Sequence, residues 1–149
     1  MSELSITITR LDVYTEVMKA TEYTGAKWVD DAGAYDRIRT TDQDAQLLDR
    51  FFDDAASDMM ELTKLFSPSY TLDATGLTVT LTMPSNYDES LNDGVRKAAR
   101  SLFVNSILSA WCLFANKQEA SSYSALAQGF MTDMRNKLYF RKKPTRTVI

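Results

Sequence analysis

The sequence predicts a mainly α-helical domain with a small β element inserted, and three observations lead there. Apolar residues recur at helical spacing over three stretches, about 41–66, 87–115 and 117–139, which predicts a three-helix bundle core. Between the first two, over about 69–83, the period drops to two and predicts a β-hairpin. The third observation is charge. Six of the seventeen basic residues and none of the twenty acidic ones fall in 135–149, so a body near −9 carries an arm near +6.

Taken in order, Leu4, Ile6 and Ile8 alternate with Ser5, Thr7 and Thr9, the pattern of a half-buried strand. Residues 11–23 follow as a short helix with Val13, Val17, Ala20 and Leu11 inward, and Gly25 is the expected stop. Residues 24–39 show no clear period; Trp28, Tyr35 and Ile38 are the expected anchors there. Thr40 and Gln43 have the spacing of a capping box. Leu48, Phe52, Ala55, Met59, Leu62 and Phe66 then step by four and three, and Ser67-Pro68 ends the helix.

In the hairpin, Leu77, Val79, Leu81 and Met83 alternate with threonines, and Asp73 to Gly76 is turn chemistry. Two strands alone are marginal, so residues 4–9 are the expected third. Asn86 and Glu89 are the expected cap of the next helix. Its second half, Leu102 to Phe114, is apolar nearly all round and therefore central or covered by another subunit. A short turn at Asn116-Lys117 makes the last two helices antiparallel neighbours. The last carries Tyr123, Leu126, Ala127, Phe130, Met131, Met134 and Leu138 at helical spacing. The expected core includes Leu48, Phe52, Met59, Phe103, Ile107, Phe114, Phe130 and Met134. One domain, 1–140, is expected, with an extended basic arm at 141–149 in which Pro144 stops any helix.

The composition narrows function. There is no histidine, which removes Ser-His-Asp and Cys-His catalysis and most zinc sites. The expectation is no enzyme, with no catalytic, cofactor or metal residues. Cys112 is the only cysteine, so no intrachain disulfide is possible, and its apolar setting predicts a buried small hydrophobe. Thr24-Gly-Ala-Lys27 lacks the spacing of a phosphate loop. No run is apolar enough for a membrane span, and no secretory signal is expected from the first residues.

Charge and pattern point to assembly. Asp49, Asp53, Asp54 and Asp58 line the polar side of the helix at 41–66; they are read mainly as a solvated face, then as a dock for a basic segment. Arg141, Lys142, Lys143, Arg146, Val148 and Ile149 form an arm suited to a neighbouring acidic body. Leu77, Val79 and Leu81 are the expected hairpin contact with a neighbour.

Tyr23-Thr-Gly-Ala-Lys27, Tyr35-Asp-Arg-Ile-Arg39, the Asp- and Phe-rich helix, the hairpin, the long apolar helix, and Lys137 to Arg146 come in a suggestive order. Over roughly 20–146 this resembles the head–tail connector or adaptor proteins of tailed bacteriophages and prophages, especially of gut Bacteroidetes. The resemblance implies a structural virion protein assembled in the host cytoplasm. It implies a homo-oligomeric ring, twelve copies, that meets the portal protein and other neck or tail proteins near the DNA channel. The alternative is a small nucleic-acid-binding packaging subunit, of the small-terminase kind, that uses the arm on phosphates.

Overall fold

A computed structural model describes residues 2–27, 44–115 and 117–143. The chain begins with β1 (Ser2–Thr9), which passes without a loop into α1 (Arg10–Lys27). α2 (Ala45–Thr63) continues as a 3-10 turn, Lys64–Phe66. β2 (Ser69–Leu72) and β3 (Gly76–Met83) make the hairpin. A 3-10 turn, Glu89–Leu91, leads into α3 (Asn92–Ala115), and α4 (Lys117–Tyr139) follows. The fold is thus mainly helical, with one small antiparallel sheet.

The sheet has the order β1-β3-β2, so the N-terminal strand is the third strand that the hairpin needs. Leu4 pairs with Leu81, Ile6 with Val79 and Ile8 with Leu77. All six are buried, and they enter the core beside Phe52, Met59, Phe103 and Ile107. This corrects one expectation. Leu77, Val79 and Leu81 are not a surface for a neighbouring subunit, because the chain's own helices cover that face. Alternation showed that one face is buried; it did not show what buries it.

Gly76 sits where the hairpin turn meets the end of β1. Its φ is +155°, and an added Cβ would lie 2.1 Å from the carbonyl oxygen of Ile8, so only glycine allows this approach. The Asp73 carboxylate closes the turn by accepting from the backbone N–H of Thr75 and Gly76.

α3 touches all three other helices and β1, which makes it the central helix that its all-round apolar composition predicts. α4 packs along it, and the two are sequential neighbours as the short connection requires. Leu48, Phe52, Met59, Phe103, Ile107 and Met134 are buried as expected. Phe130 is only partly buried, and Leu126 is 50% exposed. The inward row of α4 runs through Ala120, Ala127, Met134 and Leu138, and Leu126 and Phe130 fall on its flank. Sequence spacing merged two adjacent rows into one stripe.

Two smaller expectations also change. α1 runs through Gly25 to Lys27, and Leu11 is 80% exposed because it lies about 200° round the helix from Val13. The turn before α3 is capped by Asp88, whose carboxylate accepts from the Ser90 N–H, rather than by Asn86 and Glu89. As expected, the helical run ends at Ser67-Pro68: Ser67, in the left-handed region at φ 47°, caps the 3-10 turn that continues α2. The Thr40–Gln43 box, the anchors Trp28, Tyr35 and Ile38, and the side chain of Phe114 lie outside the described residues.

Candidate assembly surface

The acidic side of α2 divides into two halves. β1 delivers Arg10 to the first position of α1, and its side chain, 12% exposed, reaches across to α2. Its guanidinium lies 3.3 Å from the Asp49 carboxylate and 2.8 Å from that of Asp53. It also stacks 4.4 Å from the centre of the Phe52 ring and donates from Nε to the Asp73 carbonyl in the hairpin turn at 3.0 Å. Its backbone N–H donates to the Thr75 carbonyl. The Tyr14 hydroxyl donates to Asp49, and burial together with that carboxylate pushes the hydroxyl well above its ordinary pKa. One residue thus ties strand, hairpin turn and two helices. Asp49 and Asp53 are thus paired within the chain, with about half of each side chain still exposed.

Arg10 carried no signal of its own in the sequence. These partners lie 39 to 65 positions away, and a single arginine has no period. Arg10→Met should cost about 2–3 kcal/mol, toward the low end for a broken ion pair, because both carboxylates are half exposed and water replaces part of the loss. Arg10→Lys should recover little, since one ammonium cannot make the same fork of contacts. Urea titration of the three proteins measures both differences.

Asp54 and Asp58 point outward, and among the described residues neither has an ion-pair partner within 4 Å. They remain the free acidic positions of the helix. Further along, Asp58, Glu61, Lys64, Leu65, Arg135 and Tyr139 line a shallow cleft between α2 and α4. Its two carboxylates are matched by two cations, so it presents no net field.

A second surface lies on the outer side of α4. Ser122, Ala125, Leu126, Gly129, Phe130 and Asp133 form a shallow, mostly apolar patch. An added Cβ at Gly129 would meet nothing within 4 Å, so the monomer does not require glycine there. Leu113 and Phe140 are also half exposed or more.

The basic arm begins on the body. The Arg141 guanidinium donates to the carbonyls of Leu138 and Phe140 and so caps the end of α4. Arg141 also forms an antiparallel bridge with Tyr87, and the Lys142 N–H donates to the Asn86 carbonyl at 2.8 Å. Lys143 is exposed. Arg146, Val148 and Ile149 lie outside the described residues. Lys137, the arm's near neighbour, pairs with Asp133 at 2.5 Å.

On the opposite side of α3, Arg100 bridges to Asp12 at 2.6 Å, and its hydrogen bonds hold the Asp12 carboxyl below its usual range. Cys112 is buried near Trp111 and Ala120, and desolvation pushes its thiol up to about 11, which leaves it inert at neutral pH. Among the described residues no group of three His, Cys, Asp or Glu side chains is placed to hold a metal ion. No helix among them is long and apolar enough to cross a membrane. Comparison with family models, with curated proteins and with solved structures returned no match for this chain.

Proposed function

We propose that this chain is a structural virion protein, a ring-forming adaptor between the portal and the tail of a tailed phage. The observation that carries this reading is the separation of charge. Lys142 and Lys143 are exposed where the described residues end, while among the described residues Asp54 and Asp58 have no ion-pair partner on the outer side of α2. The exposed apolar row of α4 is a further surface that a neighbour would cover. The order of elements and its resemblance to neck proteins support the same reading, and a twelve-copy ring comes from that resemblance alone.

The mechanism is geometric. The helices form a wedge, and unlike surfaces of adjacent copies meet head to tail, which closes a ring when the rotation per copy allows it. Individual exposed ion pairs contribute about 0–1 kcal/mol each. Repeated around a ring, they decide between closed and open assembly. Net negative charge on the body would let duplex DNA pass without adhering.

The test is a truncation. Arg141 and Lys142 are held by the body, so the cut belongs after Lys143. Removal of residues 144–149 should leave helical content and unfolding midpoint unchanged but prevent incorporation into particles. Added salt should weaken assembly of the full chain, because exposed pairs are screened. Infectious particles containing the truncated protein would contradict the reading.

A further inference from the structure

We infer that two copies of this chain pair through the outer face of α4, with the two helices antiparallel about a two-fold axis. This names the neighbour that covers the exposed row of α4, and it does not rest on the neck-ring reading.

α4 turns Ala120, Ala127, Met134 and Leu138 into its own body. On one flank, Met131, Arg135 and Tyr139 face the cleft with α2. The other flank carries the apolar patch. There Ser122, Leu126, Gly129 and Asp133 fall within about 60° of one another round the helix, with Ala125 and Phe130 on either side. Ser122, Ala125, Leu126 and Gly129 are exposed. Gly129 sits inside the helix, where glycine is weaker than alanine, and the space above it is open. The monomer therefore gives no reason for it, whereas a second backbone at close range does. Leu126 and Phe130 beside it are the ridge that such a groove accepts.

Charge identifies the occupant and its direction. Glu119 and Lys137 stand on the same flank of α4, about five turns apart, at opposite ends of the patch. Among the described residues Glu119 has no ion-pair partner. A parallel copy would set Glu119 against Glu119 and Lys137 against Lys137. An antiparallel copy, with the axis beside Ala127 and Gln128, sets Glu119 against Lys137 at both ends. In that register Leu126 of each copy lies over Gly129 of the other. Ser122 meets Asp133, a carboxylate to which its hydroxyl can donate. Lys137 already holds Asp133 at 2.5 Å and, with three donors, can also bridge to Glu119 of the second copy. The patch is complementary to itself, as a two-fold contact requires.

Sedimentation velocity of the full chain tests this, in salt high enough to screen exposed charges and so silence contacts of the arm. One helix pair is a small interface, so a dimer should appear as concentration is raised to about 100 μM. Nothing larger should form, because an isologous contact is used up at two copies. Gly129→Arg, for which the monomer has room, should raise Kd on the order of tenfold or more without lowering the unfolding midpoint. Gln128→Arg adds the same charge on the side of α4 turned away from the patch and should leave Kd unchanged. Spin labels at Gln118→Cys should lie about 30 Å apart in the dimer. A wild-type monomer at every concentration overturns the inference, as do species larger than a dimer in high salt. Equal pairing of wild type and Gly129→Arg, or equal loss in both arginine variants, also contradicts it. Adjacent labels would mean a parallel pair and reject the antiparallel register. Rings at low salt are scored separately, so this contact and the neck-ring reading can each fail alone.

Discussion

Val79→Asp should leave the chain without a cooperative fold at 25 °C. Val79 is fully buried on the central strand, between Ile6 and Tyr70 in the ladders, within an apolar cluster. A carboxylate placed there either loses its hydration or forces the sheet off the helices. Either way the cost is several kcal/mol, against a total stability of about 5–15 kcal/mol for a domain of this kind. Thr82→Asp, on the opposite and exposed face of the same strand, should change stability by no more than about 0.5 kcal/mol. Circular dichroism and urea titration of the pair decide the point. A folded Val79→Asp monomer would mean that the strand's apolar face is open to solvent.

Phe52→Ala is the second large effect, at about 3–5 kcal/mol. The ring has no exposed surface and lies 4.9 Å from Phe103 and 6.2 Å, edge on, from Tyr14. It is also the apolar floor under Arg10. Truncation opens a cavity between α2 and α3 and removes the surface on which the guanidinium rests. Since Phe52 and Arg10 touch, their substitutions should not be additive, and the double variant should lose less than the sum of the two. A loss below about 1 kcal/mol for Phe52→Ala would show that the α2 face is misassigned.

Much of this architecture was legible because its signals are periodic. The α2 stripe from Leu48 to Phe66, the alternation of Leu4 to Ile8 against Leu77 to Leu81, and the span of α4 all follow from spacing that repeats several times. What was not legible is what each face meets. The hairpin's apolar face looked available to a neighbour, yet β1 closes the sheet and the helices cover it. The same limit applies to α4, where Ala127 and Leu126 are adjacent in sequence but only the former is buried. Arg10 is the sharpest case. It organises four elements, but only through partners brought together by the completed fold. The acidic helix was legible as a charged face, and only the position of Arg10 shows that Asp49 and Asp53 are engaged while, among the described residues, Asp54 and Asp58 have no ion-pair partner.

In the proposed assembly, copies of this chain close into a ring through surfaces that the monomer leaves uncovered. Class-averaged electron micrographs of the purified full-length protein, recorded at low and at high salt, test it most directly. Closed rings of uniform copy number should form at low salt and dissociate as salt is raised. A monomer at both salts, with the protein instead binding duplex DNA in a steeply salt-dependent way, would contradict it.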